Sequence, residues 1–437
     1  MEIKPFKAFR YDKAVVGNVG NCIAPPYDVI GDDEQEALYQ KSAYNIVRIT
    51  KGKTTPTDDG QVNQYTRAAD HLVQWIREGA LKEDAKEAIY GYVQDFEIAG
   101  QAFQRLTFIA LAKLEDFGKM VKPHEQVFEK PMLDRLSLKK ATSARFGLVF
   151  MLYEDPQEIA DKIIRQAATA EPLIDFTDEQ DVRHRLFVIN SDADIKAITQ
   201  MMATKSGIIA DGHHRYTTGL NYSRLSDNPA AKYQMIAFTN LRQKGLVVLA
   251  THRLVGGIEN FDPQGFLMRL AASFTVSKFA YDANNTSKEA ALQNVLAAMK
   301  SVHEKDETAL SIYMAGGSFY LLVLKDKSLM VAAASERSEA WRSLDVSVLQ
   351  KLVLEDLLDI DEARMGNPDY VQYVKDRPNA IHEMIDAVDA GRKQIAFFTN
   401  PVKMQRLVDI TEAGERMPQK STYFYPKMYT GLTIQKI

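Results

Sequence analysis

Ser206-Gly207-Ile208-Ile209-Ala210-Asp211-Gly212-His213-His214-Arg215-Tyr216 is the stretch from which the architecture of this chain can be read. Ile208 to Ala210 are small and apolar and predict a buried strand. Asp211-Gly212 breaks it, and from Tyr216 to Leu225 the pattern continues at helical spacing, with Leu220 and Leu225 apolar. A strand that ends at glycine and opens a helix gathers backbone N–H groups and the positive end of a helix dipole at one point. His213, His214 and Arg215 add cationic side chains there, so the turn predicts an anion site. A nucleotide phosphate suits it best, because a planar guanidinium and exposed amides match tetrahedral oxygens. The plainer reading is a helix start capped by Asp211 with solvated histidines. Capping needs only one Asp, Ser or Asn, however, and each positive side chain in a first turn opposes the dipole by about 0.3–1 kcal/mol, a cost that a bound anion offsets. A metal held by both histidines fits less well, since neighbours on a helix diverge and no partner stands at four-residue spacing.

Outward from this turn, element types alternate. Strands are predicted at Phe146 to Tyr153, Leu186 to Asn190, Met235 to Asn240 and Leu246 to His252, with helices at Pro156 to Ala168, Ala193 to Ala203 and Pro263 to Ala272. Upstream, a helix is expected around Thr66 to Glu78. The runs Tyr90 to Ile98 and Phe103 to Leu114 form a hairpin joined at Ala99-Gly100. Lys119 to Arg145 reads as irregular and charged. The last third repeats the mixture: a hairpin at Gly316-Gly317, helices at Val346 to Leu358 and His382 to Val388, and strands at Ile395 to Thr399 and Gly431 to Ile434. This is an α/β (α+β) pattern with a mixed sheet. The aromatic tail from Met417 to Lys427 predicts a terminus that packs onto the body and returns Lys420, Ser421 and Lys427 to a pocket.

With 437 residues, the chain exceeds the usual size of one core. A net charge of −4 argues against a protein that lives on nucleic acid or anionic lipid. Cys22 is the only cysteine, which excludes an intramolecular disulfide and a cysteine metal cluster. Neither a leader-like apolar segment nor an uninterrupted apolar run of about 18 residues occurs, so a soluble cytoplasmic protein is expected.

Four further constellations carry chemistry. Pro123-His124-Glu125 places a carboxylate beside a histidine, either a general base or a surface ion pair; Phe128 stands where a zinc-protease pattern needs its second histidine. Asp134-Arg135 reads equally as an ion-paired turn and as an anion contact. Thr251-His252-Arg253 ends a predicted strand, where side chains often meet ligands in α/β sheets. Tyr27 and Asp28 follow a Pro-Pro turn with the same balance. Walker A, G-x-G-x-x-G, G-x-S-x-G and protein-kinase signatures are all absent.

Ala24-Pro25-Pro26-Tyr27-Asp28, Tyr44 to Arg48, Pro123-His124-Glu125, Asp134-Arg135-Leu136, Ile209 to Tyr216, Thr251 to Leu254 and Met417 to Lys427 together resemble a bacterial and archaeal family known only as domain of unknown function 1015, over essentially the whole chain. Pro-His-Glu followed by Asp-Gly-His-His-Arg is also similar to the ADP-dependent free serine kinases of the ParB/sulfiredoxin-like superfamily. That resemblance covers roughly residues 119 to 255. It implies a phosphate-binding core at 119–258, flanked by an N-terminal α+β segment, 1–118, and a C-terminal α+β segment, 259–437. It further implies that Gly212, His213, His214 and Arg215 hold nucleotide phosphates; Arg135, His252 and Arg253 are expected as additional contacts from their own placement. Asp211 would hold Mg²⁺ or orient the acceptor, Glu125 would be the base, and His124 its catalytic neighbour. The expected function is a nucleotide-dependent phosphotransferase, with ATP or ADP as donor and a small hydroxyl-bearing metabolite such as free serine as acceptor. The alternatives are a ParB-type nucleotide-hydrolysing switch and a metal-dependent hydrolase built on Asp211, His213 and His214.

Overall fold

Ala99 and Gly100 both adopt left-handed backbone conformations, with φ of 50° and 78°, the geometry a two-residue hairpin turn requires. They join Ile89–Ile98 to Gln101–Lys113 in antiparallel register, Ile98 opposite Gln101. The computed structural model describes residues 1–126, 129–282 and 287–437, and within these the hairpin lies inside a nine-stranded mixed sheet. From one edge the order is Val121–Pro123, Gly207–Asp211, Val149–Tyr153, Tyr233–Asn240, Gln101–Lys113, Ile89–Ile98, Arg183–Ile189 and Ile174–Thr177, with Ile3–Lys4 also paired to Gln101–Lys113. Gly207–Asp211 runs parallel to Val121–Pro123, and Tyr233–Asn240 parallel to Val149–Tyr153; the other pairings in this sheet are antiparallel. Phe108, Met151, Ile209, Tyr216 and Phe238 belong to its buried core.

The chain divides into two compact units. The first comprises Met1–Val247 with Pro426–Ile437, and the second Val248–Tyr425. Strands from either side of residue 118 hydrogen-bond in one sheet, so the boundaries read from sequence at 118 and 258 do not coincide with this division. The expected strand Leu246 to His252 is two strands, Val247–Leu249 and Thr251–Val255, parted at Ala250. In the second unit, six antiparallel strands run in the order Phe274–Ala280, Ser318–Leu324, Ala309–Met314, Ile395–Thr399, Thr251–Val255 and Val371–Lys375. Helices Lys288–Glu304 and Ala380–Asp389 contribute to its core.

Three further elements depart from the sequence reading. Lys119 to Arg145 is not irregular: it holds the strand Val121–Pro123 and the helix Glu129–Thr142, so Asp134 and Arg135 lie on a helix rather than in a turn. The buried positions of that helix include Lys139 and Thr142 beside Leu138 while Leu133 is exposed, so polar side chains share its inner face. Phe128 lies outside the described residues. The expected helix Val346 to Leu358 is a short helix, Asp345–Val348, running into a wide π-type segment, Leu349–Glu355. At the C terminus the strand is Gln435–Lys436, paired with Ala144–Arg145, rather than Gly431 to Ile434. The final segment is nonetheless sewn into the first unit: Ile434 exchanges backbone hydrogen bonds with Phe9, and Thr430 with Ala24.

Gly245 illustrates how tightly this unit is built. A Cβ there would stand 1.9 Å from the carbonyl oxygen of Gln104. The turn cannot retreat, because the Gln243 side chain exchanges 2.8 Å hydrogen bonds with the backbone of Leu106 and donates another to Asp161. Gly245→Ala is expected to destabilise the protein by about 2–3 kcal/mol, read as a lowered urea midpoint at unchanged slope.

Candidate functional site

The strand Gly207–Asp211 pairs Ile209 with Met151, and then Asp211 with Phe150 across a register shift. Such a bulge bends the strand and re-aims its last side chain. Gly212 follows at φ 90°, a left-handed conformation that glycine takes without steric cost. A Cβ on Gly212 would lie 3.0 Å from the Nε of Arg215. Glycine therefore both turns the chain and leaves room for the guanidinium to fold back over it.

Arg215 donates its Nη2 to Asp211 Oδ2 at 2.8 Å and its Nη1 to the carbonyl of Leu148. Lys427, from the C-terminal segment, donates to the other oxygen of Asp211 at 3.3 Å. Burial alone would raise the Asp211 carboxyl; Lys427 and Arg215 outweigh it and hold the group well below the usual carboxylate range. Two cations from distant parts of the chain thus converge on one carboxylate at the helix start.

The histidines are tied to the neighbouring strand. The backbone N–H of His124 donates to His213 Nε2 at 3.2 Å. His124 is itself buried, its Nδ1–H directed at the carbonyl of Ile209, and burial pushes its pKa down against the pull of Glu125 and Asp211. The two rings pack edge to face at 4.7 Å. His214 is half-buried on the same first turn. Glu125, partly exposed, places a carboxylate oxygen 3.8 Å from His124 Nε2. The parallel pairing of Val121–Pro123 with Gly207–Asp211 is what brings His124 and Glu125 to the end of the strand that delivers Asp211.

Arg135 reaches this neighbourhood from its helix. It is paired with Asp134, donates to the carbonyl of Thr50 at 2.6 Å, and lays its guanidinium 3.9 Å above the ring of Tyr27. Asp134 in turn accepts from Tyr65. A cavity of about 60 Å³ is lined by Tyr27, Arg135, Gly147 and Arg215, among others. His252 and Arg253 belong to the second unit. There Arg253 donates to the carbonyls of Thr251, Gln419 and Lys420, burial pushing it down to about 10, while His252 Nδ1 accepts from the amide of Thr399.

A divalent metal does not fit Asp211. Both of its oxygens already face cations, and no group of three or more His, Cys, Asp or Glu side chains that could hold a metal ion occurs among the described residues. That geometry removes the ligand set which the metal-hydrolase reading needed. Lys427 and Leu148 were the parts hardest to find from sequence. Lys427 lies 216 residues from its partner, and only the aromatic character of the tail signalled its return.

Residues 3–347 match the family described as a protein of unknown function, DUF1015. The chain belongs to this family. No curated protein matches it. Among solved structures, this DUF1015 member is similar to a free serine kinase variant in complex with ADP, at 12% identity and a TM-score of 0.36, covering 72% of this chain and 87% of that one. A conserved hypothetical protein from Pyrococcus furiosus is similar at 13% identity and a TM-score of 0.35, covering 75% and 94%. A C-terminally truncated SbnI from Staphylococcus aureus follows at 9% identity and a TM-score of 0.34, covering 73% and 84%. No helix among the described residues is long and apolar enough to cross a membrane.

Proposed function

We propose that the turn Asp211–Arg215 holds the phosphates of a nucleotide, ATP or ADP, and that the protein transfers a phosphoryl group to a small hydroxyl-bearing metabolite such as free serine. One observation carries this reading: Arg215 and Lys427 meet at a helix N terminus whose cap is a glycine with no side-chain oxygen to offer. Both cations stand where the helix dipole adds positive potential. Phosphoryl transfer asks a protein chiefly for positioning and for neutralisation of the charge on the transferred group. Gly212 and the first turn supply the former, Arg215 and Lys427 the latter. Glu125 accepts the acceptor's hydroxyl proton as the new oxygen–phosphorus bond forms and the bond to the leaving nucleotide oxygen breaks. His124, kept neutral by burial, positions Glu125. Asp211 orients the cations and is not assigned a metal.

ADP and ATP at millimolar concentration should each be tested for a rise in Tm of the full chain. Phosphorus NMR of mixtures with candidate acceptors then reads product. The expected result is nucleotide-dependent stabilisation and an acceptor-dependent phosphate monoester. Absence of any nucleotide effect on Tm would remove the proposal.

A further inference from the structure

Arg135, Lys139, Arg145 and Arg215 all line the cavity of about 60 Å³, and among the described residues no carboxylate does. Arg135 and Arg215 bring their own counterions, Asp134 and Asp211. Lys139 and Arg145 bring none. Lys139, 8% exposed, sits near the end of the helix Glu129–Thr142 and donates to Gln234 Oε1 at 3.2 Å, one of the three hydrogen bonds an ammonium can make. Arg145, 2% exposed, gives its Nη atoms to Gln435 Oε1 and to the carbonyls of Ala230 and Ala231, while its Nε is buried without a hydrogen-bond partner. Among the described residues, the acceptors these two cations meet are neutral.

Two buried cations facing one cavity with no anion are strongly unfavourable, because each has lost its water and each repels the other. The arrangement is nonetheless built with care. A Cβ on Gly219 would fall 2.7 Å from Gln234 Oε1 and 3.5 Å from Lys139 Nζ, so the glycine makes room for the amide and ammonium. We infer that the cavity is a binding site for one small oxyanion, a carboxylate or a phosphate group, that serves as counterion to Lys139 and Arg145, with Thr218 beside it. Burial and the charge of Arg145 push the Lys139 ammonium well down, and burial pushes Arg145 to about 9, as expected of cations lacking their anion. The volume suits one headgroup rather than a nucleoside. The inference stands whether or not the turn at Gly212 binds nucleotide.

The test uses the full chain at pH 7, with sodium phosphate and sodium acetate titrated separately against sodium chloride at matched ionic strength. One or both oxyanions should raise Tm by about 5 °C at a hundredfold excess over Kd, while chloride does not. A response to phosphate alone assigns a phosphate-bearing ligand; a response to acetate assigns a carboxylate. Two variants locate the site. Lys139→Met should weaken the oxyanion at least tenfold. Gln234→Glu places a carboxylate where the amide oxygen now meets Lys139; it should raise Tm in anion-free buffer and abolish the oxyanion response, a readout that survives if Lys139→Met fails to fold. Oxyanions that act no better than chloride overturn the inference. So does a response retained in Gln234→Glu, or one lost only in Arg215→Ala.

Discussion

Asp211→Ala is expected to destabilise the protein by about 3–5 kcal/mol, the cost of leaving buried cations without their partner. The substitution removes an anion and leaves Arg215 and Lys427, 11% and 14% exposed, facing each other across the space it occupied. Arg215 keeps its bond to the Leu148 carbonyl, which fixes the guanidinium in place and prevents it from escaping to solvent. The same carboxylate makes stability depend on acid. Its pKa in the folded protein lies below its ordinary value of 3.8. The stabilisation is therefore fully present above the unfolded value and is lost as pH falls through about 4 toward the lower folded value. Urea midpoints between pH 6 and pH 2 measure this. Wild type should lose more stability across that interval than Asp211→Ala, the difference isolating this group from the other carboxylates. Parallel curves for the two proteins would show that the ion cluster contributes nothing to folding.

The turn that yields this cluster was legible because its signals are local. Apolar Ile208 to Ala210, a glycine and an immediate helix start fix the backbone within a few residues, and the strand and helix occur there. The hairpin at Ala99-Gly100 was legible for the same reason. Regions whose buried faces are polar escaped notice. The helix Glu129–Thr142 buries Lys139 and Thr142, so its periodicity carries no apolar stripe. Hydrogen-bond roles escaped as well. That His213 accepts a hydrogen bond depends on the backbone of His124, 89 residues earlier, which no spacing rule reaches. The convergence of Lys427 on Asp211 depends on strand pairing at Ala144–Arg145 and on the Ala24–Thr430 bridge, both long-range backbone contacts. Sequence thus located the turn and the return of the tail, but not the pairing of Lys427 with Asp211.

Those supports change what Arg215→Ala should do. From sequence alone, the variant is expected to abolish nucleotide binding and leave the fold untouched. In the structure Arg215 also braces Asp211 and the Leu148 carbonyl, so its loss should cost stability too. The cost should be smaller than for Asp211→Ala, about 1–3 kcal/mol, because Lys427 still neutralises the carboxylate that remains. Its effect on ligand should be the larger one. Removing a guanidinium that contacts phosphate is expected to weaken ADP at least a hundredfold, about 2.7 kcal/mol. Calorimetry well below the variant's own Tm separates the two effects, since affinity is then read on folded protein. Lys427→Met should follow the same direction with a smaller loss, an ammonium lacking the forked geometry of arginine. If Arg215→Ala binds ADP as tightly as wild type while Asp211→Ala shows its predicted instability, the cluster is a brace between strand, helix and tail, and phosphate recognition at this turn is wrong.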